Sequence, residues 1–465
     1  MPNLTFNLTE TSIRLYRQLF GSPDLAGQLA DGIETVLDGN TAIAVTEACI
    51  SEVAAVSNSF LTQGATLAWL AEQQRVTNNL FAQPLSVQQA DSPRGALASA
   101  IGVCQSGHSS TVFLGAQDLS ACQDLLQMAA SRHLPLVIHI DNQLSGAHSN
   151  TSAAGHEALH QAKDSGCIVL FAANVQQAVD FTLIARHVAE HALTPAVVVM
   201  DSTETALSAQ NVCLPSLELV QEFIGRSDEL IKSPSIAQKQ LFAEQRRRIP
   251  NWHNLDKPVL QGAMQDGKLF ALGRAAGDVY FDEMVSATLQ QAFSNYRQLT
   301  ARDYSSVSSF GLKKADVIII AQGSAIETLT SLSHYLQAIK KDNSAGLKRV
   351  NLGVIGLHCL RPFAGAALAD LLNTTTTTTT TTPLIVLDRM NTPLADNAPL
   401  MQEIRACLHQ QKQQQKQQLL HSVIYGLGGS ELRLADCYAL CEAAINNTLN
   451  GKYLGIPFIS YDIKN

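Results

Sequence analysis

The 465 residues carry 32 Lys and Arg against 40 Asp and Glu, a net charge of −8, with 46% hydrophobic and 15% charged residues. A chain of this kind buries large cores, which excludes global disorder, and its length implies about two to four domains. The acidic balance implies no basic face, so nucleic acid is not an expected partner.

Residues 1–35 read as an N-terminal extension, rich in Asn and Thr and then helical from Ser12 to Leu19. From Asp38 onward, short apolar runs alternate with helical patterns. Thr111-Val-Phe-Leu114 predicts a buried strand and Leu119–Ser131 a helix, followed by a strand at Leu136-Val-Ile-His-Ile140. Cys167-Ile-Val-Leu-Phe171 and Ala196-Val-Val-Val-Met200 are strands flanking a helix from Val175 to Ala192. Strands apolar on both faces, alternating with helices, predict a parallel sheet covered on both sides. This first domain is assigned to residues 36–213.

Residues 214–300 are more charged and show no clear strand, so a helical linker is expected there. Its Arg246-Arg247-Arg248 run reads as a solvated helix face. A second rhythmic block, residues 301–465, contains the strands Asp316–Ala321, Val350–Ile355, Leu384–Leu387 and His421–Tyr425. Ser324 and Glu327 have capping-box spacing for a helix running towards Ile339. Two low-complexity tracts, Thr374–Thr382 and Gln410–Gln418, fall in connections, where added length changes closure entropy slowly. The fold class is therefore α/β, with two parallel-sheet domains.

The nine cysteines are scattered and contain no Cys-x-x-Cys pair, as expected of thiols in a reducing compartment. They offer no iron–sulfur or zinc ligand set, and no metal site is expected. Met1–Leu19 has no apolar signal core, and no apolar run approaches the roughly 20 residues of a membrane span, so a cytoplasmic protein with no membrane partner is expected. His187-Val-Ala-Glu190-His191 has the H-x-x-E-H spacing of a zinc hydrolase, but two histidines on a surface helix satisfy it equally well. Gly426-Leu-Gly428-Gly429-Ser430 reads as a tight turn. His139, His148, His156 and His160 cluster around the loop from Gln143 to Ala158, at the carboxyl end of a predicted strand, where parallel sheets present residues to ligands.

Several short segments, in order, resemble the pyruvate:ferredoxin (flavodoxin) oxidoreductases. They include Asp38-Gly-Asn-Thr-Ala-Ile-Ala-Val with Ser51-Glu-Val-Ala-Ala, Gln117 with Leu119, and His139, His148 and His156. Pro258-Val-Leu-Gln-Gly262, Ala315–Ser324, Glu327-Thr328 and Arg361-Pro-Phe363 continue the series. Val386-Leu-Asp-Arg389, Tyr425-Gly-Leu-Gly428 and Lys452–Asp462 complete it. The resemblance implies a thiamine-diphosphate-binding-like domain on the pyrimidine side, followed by a domain like the transketolase C-terminal one. It implies that the diphosphate-binding, gamma-like and iron–sulfur domains come from partner subunits. Thiamine diphosphate would then bind only at an interface with a partner chain, and a homodimer is compatible with this arrangement.

By the same resemblance, the family's substrate-contacting Thr falls at Phe60, close to Thr62, in Val56-Ser-Asn-Ser-Phe60-Leu-Thr62. The glutamate that bonds the aminopyrimidine falls near Asp91, one methylene shorter, and is the expected catalytic position. The Arg that pairs with the substrate carboxylate falls at Gln143, which removes a charge-assisted contact. Two functions follow. One is a component of a 2-oxoacid, pyruvate-type oxidoreductase, coupled through its partners to ferredoxin or flavodoxin. The other is a catalytically degenerate module with an assembly or regulatory role, like the amino-terminal module of some sulfite reductase flavoproteins.

Overall fold

The computed structural model describes residues 32–59, 62–144, 153–253, 266–342, 350–375, 382–410, 420–449 and 452–454. In chain order the strands are β1 Ile33–Leu37, β2 Val53–Ser57, β3 Ser86–Ala90, β4 Ser110–Gly115, β5 Val137–Asn142, β6 Ile168–Ala172, β7 Ala196–Asp201 and β8 Gln210–Leu214. There follow β9 Leu230–Lys232, β10 Gln245–Arg247, β11 Val307–Phe310, β12 Val317–Gln322, β13 Leu352–Leu357, β14 Cys359–Arg361, β15 Leu384–Asp388 and β16 Leu420–Ile424.

The first large sheet has the order β14-β6-β7-β5-β4-β2-β3, and every pairing in it except β14–β6 is parallel. Strands β2, β4, β5, β6 and β7 are buried along their whole length, because helices cover both faces. One layer includes Gly39–Ile50 and Val175–Ala192; each begins on a side-chain cap, Asp38 to the Thr41 N–H and Asn174 to the Gln177 N–H. The second sheet has the order β11-β13-β12-β15-β16 and is parallel except at β11. Alternate residues of β12 enter opposite layers: Ile319 and Ala321 pack with Leu329 and Leu440, while Ile318 and Ile320 pack with Leu368 and Met401. The α/β class with parallel-dominated sheets is as the sequence implied.

The two sheets are tied by the chain itself. A single residue, His358, separates β13 in the second sheet from β14 on the edge of the first. Cys359 pairs with Leu170, and the Phe171 N–H donates to the His358 carbonyl at 2.8 Å.

Several local expectations differ. The stretch after residue 214 contains strands, as β9 and β10 form an antiparallel ribbon. Arg246 and Arg248 are buried instead of lying on a solvated helix face. Arg246 Nη2 donates to the Glu190 and His191 carbonyls at 2.8 and 2.9 Å, satisfying the carbonyl end of helix Val175–Ala192 with a cation. The helix expected over Leu119–Ser131 divides into Ala116–Leu119 and Gln123–Ser131. Ser324 Oγ and Glu327 do not bond each other's backbone reciprocally, because both side chains face the first domain. Ser324 Oγ donates to Asp201 and Glu327 accepts from Asn174. Thr376–Thr381, Gln411–Gln418 and Pro258–Gly262 lie outside the described residues.

Candidate functional site

The carboxyl ends of β5 and β7 lie side by side, with Asn142 in register with Asp201. Both strands leave an apolar run on buried polar residues, Asp141-Asn142-Gln143 and Asp201-Ser202. Asn40, at the start of helix Gly39–Ile50, donates from Nδ2 to Asp141 Oδ2 at 3.3 Å. Its Cβ also lies 3.5 Å from where a side chain on Gly64 would begin, so Asn40 links Asp141 to the helix that follows Thr62. Burial pushes the Asp141 carboxyl up to about 6, and the neighbouring Asp201 charge adds to the rise.

Asp201 is the centre of a second group. His156 Nε2 lies 3.2 Å from Asp201 Oδ1, and its ring meets Phe171 edge-on at 5.1 Å. Ser324 donates its N–H and hydroxyl to Asp201 Oδ2 at 2.9 and 2.6 Å. Arg389 Nη1 stands 4.0 Å from the same oxygen, and its Nη2 donates to Glu204 at 2.5 Å. Burial alone would raise the Asp201 carboxyl, but His156 beside it, Arg389 and Ser324 outweigh that and hold it at about 2.

Deeper in the same layer, Glu47 Oε1 meets His139 Nε2 at 2.8 Å, and Glu47 Oε2 takes Arg186 Nη2 at 3.0 Å and Ser51 Oγ at 2.5 Å. All four residues are fully buried. Burial would raise the Glu47 carboxyl, but Arg186 first and then His139 bring it down to about 2.

These placements sort the expected site residues. His156 and Gln143 stand at the shared carboxyl end, and the Gly155 N–H donates to the Asn142 carbonyl, which returns the His156 segment to β5. Thr62 is buried and its hydroxyl has no partner among the described residues. His139 is locked to Glu47 inside the helix layer and reaches no open surface. Gln117 is exposed on the short helix after β4. Asp91 is exposed just beyond β3, the far edge of the sheet. Three strand spacings, about 14 Å, separate β3 from β5, so Asp91 and Gln143 are not brought together. Phe60 and His148 lie outside the described residues. His187 and His191 direct Nδ1 to the carbonyls of Phe223 and His187, at 2.6 and 2.7 Å. Among the described residues, no group of three His, Cys, Asp or Glu side chains could hold a metal ion.

Sequence reasoning missed Asn40, Asp141, Asp201 and Glu204. Its usable signal was the abrupt polar ending of two fully apolar strands, Ile140-Asp-Asn and Met200-Asp-Ser.

Among the described residues, Ser57 Oγ, Thr62 Oγ1, Asp141 Oδ1, both amide atoms of Asn142 and Gln143 Oε1 are buried without hydrogen-bond partners. Such orphaned capacity suits a polar ring that both donates and accepts. It does not suit a diphosphate, because Arg389, the cation of the neighbouring group, is engaged by Asp201 and Glu204.

Residues 63–267 match the family described as pyruvate flavodoxin/ferredoxin oxidoreductase, thiamine diphosphate-binding. A pyruvate-flavodoxin oxidoreductase of Klebsiella pneumoniae is 25% identical over 412 residues, covering 87% of this chain and 32% of that protein. The chain thus spans about a third of that relative's length. Pyruvate synthase subunit PorA of Thermotoga maritima is 24% identical over 380 residues, 79% of this chain and 84% of the subunit. A 2-oxoglutarate:ferredoxin oxidoreductase from Magnetococcus marinus, solved with 2-oxoglutarate, coenzyme A and succinyl-CoA, shares the fold. Its TM-score is 0.61 at 17% identity, over 89% of this chain and 65% of that one. In sequence and in fold, the chain is thus similar to 2-oxoacid oxidoreductases.

Proposed function

We propose that this chain is the pyrimidine-side component of a 2-oxoacid, pyruvate-type oxidoreductase that works with partner subunits. The partners would supply the diphosphate-binding, gamma-like and iron–sulfur domains and pass electrons to ferredoxin or flavodoxin. The reading rests on one observation: in a chain whose residues 63–267 match a thiamine diphosphate-binding family, the carboxyl end of β5 holds, among the described residues, orphaned hydrogen-bonding groups but no free cation. In this reading half of a cofactor site is on this chain. Residues 36–213 would form the pyrimidine-side domain and residues 301–465 the transketolase C-terminal-like one.

In this reading Asn142, Gln143 and Thr62 orient the ring, and a carboxyl group holds its proton. When bound, thiamine diphosphate supplies the carbanion-stabilising chemistry. Two carboxylates compete for the proton-holding role. Asp91 lies at the position the family resemblance indicates, but at an exposed edge. Asp141 is buried, has a free Oδ1 and titrates at about 6, which suits exchange of a proton near neutral pH. His156, Asp201 and Arg389 hold the surrounding loops in place.

The test is purification of the native chain with its partners, followed by assay of thiamine diphosphate content. Partners carrying diphosphate-binding and iron–sulfur domains, with cofactor lost in Asp141→Asn or Asp91→Ala, would support the proposal. Co-purification with a flavin or sulfite reductase, with neither substitution changing the complex, would replace it by an assembly role.

A further inference from the structure

Six buried polar atoms with no hydrogen-bond partner among the described residues gather where the two sheets meet. They are Nδ1 of His156, both ring nitrogens of His160, both amide atoms of Gln322 and Oδ2 of Asp388. All four residues are more than nine-tenths buried. Gln322 and Asp388 are the last residues of β12 and β15, neighbouring strands about 4.8 Å apart in the second sheet. Ile320 is in register with Val386, so Gln322 and Asp388, two residues further on, end side by side. They lie on one face, because Ile318 and Ile320 share a layer with Leu384 and Val386. His156 and His160 come from the other side of the contact and stand one helical turn apart, the His160 N–H donating to the His156 carbonyl at 3.2 Å. The His156 ring meets Tyr425 edge-on at 6.4 Å, and the Tyr425 N–H donates to the Asp388 carbonyl at 3.0 Å. Asp388 Oδ1 accepts the Leu400 N–H at 3.0 Å. One turn along that helix, Glu403 accepts from Lys163, three residues after His160, at 2.8 Å.

Polar groups buried this deeply are costly unless something bonds them. Their chemistry defines what fits. An ionised Asp388 only accepts, the Gln322 amide both donates and accepts, and a neutral imidazole donates from one nitrogen and accepts at the other. Burial holds His160 well below the usual imidazole range, which keeps that ring neutral. An anion would meet the Asp388 carboxylate. Among the described residues, no three His, Cys, Asp or Glu side chains converge as metal ligands. A small neutral molecule that donates and accepts equally satisfies the whole set. Water is such a molecule, and a buried water makes about three hydrogen bonds, so about two waters serve the six atoms. We propose that His156, His160, Gln322 and Asp388 enclose an internal water site through which the two sheets are hydrogen-bonded to each other. His156 holds Asp201 through its other nitrogen, so the same water connects Asp388 to the acid in register with Asn142. The proposal does not depend on the reaction the chain supports.

The test has two arms, both on the full chain. A crystal structure at a resolution that shows ordered solvent should place water within hydrogen-bond distance of Gln322, Asp388 and His160. Direct bonds among these side chains, or no water between them, would overturn the proposal. The second arm is Gln322→Met, which keeps the length of the side chain and removes both amide atoms. Where water bridges the site, the substitution deletes bonds to that water and should lower the folding equilibrium constant about tenfold in urea titrations. Where the site is dry, it relieves an orphaned amide and should raise that constant by a similar factor. An unchanged or raised constant therefore counts against the water site. The wild-type crystal structure decides the question even where the variant does not fold.

Discussion

Asp201, the last residue of β7 in the first sheet, accepts both the N–H and the hydroxyl of Ser324, which begins a helix of the second. A fully buried carboxylate thus closes the contact between the two α/β layers, with His156 and Arg389 as its other neighbours. Removing one member of a buried ionic group leaves the remaining charge uncompensated, which typically costs about 3–5 kcal/mol. Asp201→Ala should therefore lower unfolding stability by roughly 3 kcal/mol in denaturant titrations. Ser324→Ala removes one hydrogen bond to a charged group and should cost about 1.5–3 kcal/mol. A change below about 0.5 kcal/mol for Asp201→Ala, the scale of an ordinary surface substitution, would mean that the contact does not join the layers.

Glu47 and Arg186 are both fully buried, and each has the other as its compensating charge. Arg186→Met should be strongly destabilising, by about 3–5 kcal/mol, because Glu47 then keeps only His139 and Ser51. The pair Glu47→Gln with Arg186→Met removes both charges and should cost less than the two single changes added together. A double-mutant cycle measured by urea unfolding decides this, and strict additivity would show that the two groups are not coupled.

Much of this architecture was legible in the sequence because fully apolar strands such as Ala196-Val-Val-Val-Met200 admit few alternatives. The helix from Val175 to Ala192 was equally plain, and the structure adds Asn174 as its cap. What escaped is long-range. Ser324 and Glu327 have the spacing of a local cap, but Asp201 and Asn174, more than a hundred residues away in the chain, captured their side chains. The arginine run at Arg246 looked solvated because nothing local shows that the carbonyl end of another helix requires a cation. His139 looked like a ligand residue at a strand end, yet its partner Glu47 turns it inward. Strand β14 is three residues long, too short for any periodicity to identify.

The buried acids should make stability depend on pH in two opposite ways. Glu47 and Asp201 are held at about 2 in the folded state, below their ordinary range. The unfolded chain therefore takes up protons first as pH falls, and the stabilisation they give is lost from about pH 5 downward. Asp141 and Asp388 are raised to about 6 and Glu190 to about 7, in each case chiefly by burial. The folded chain holds those protons where the unfolded chain has released them, so the stabilisation these three acids give falls as pH rises from about 4 to 7. Asp141→Asn should flatten the upper slope between pH 4 and 6, by up to about 3 kcal/mol for a shift of this size. Unfolding free energies at half-unit pH intervals measure it; parallel curves for wild type and variant would show that Asp141 is not perturbed.

The isolated chain should not decarboxylate pyruvate, even with added thiamine diphosphate and magnesium. Anchoring a diphosphate requires a metal or concentrated positive charge. At the carboxyl end of β5, the described residues offer neutral amides, hydroxyls and carboxyls, while Arg389 is committed to Asp201 and Glu204. A ring held without its diphosphate would be positioned loosely, and misplacement of roughly 1 Å can cost about a hundredfold in rate. Adding the partner that carries the diphosphate-binding domain should restore turnover, and the two carboxylates can then be separated. If Asp141 holds the pyrimidine proton, Asp141→Asn should abolish the restored activity while Asp91→Ala leaves it largely intact. If the exposed edge forms the site once a partner covers it, the pattern reverses. Carbon dioxide release from labelled pyruvate, measured with and without the partner, reads both outcomes. Turnover by the lone chain would contradict the half-site reading, because it would require an anion-binding surface that these residues do not form.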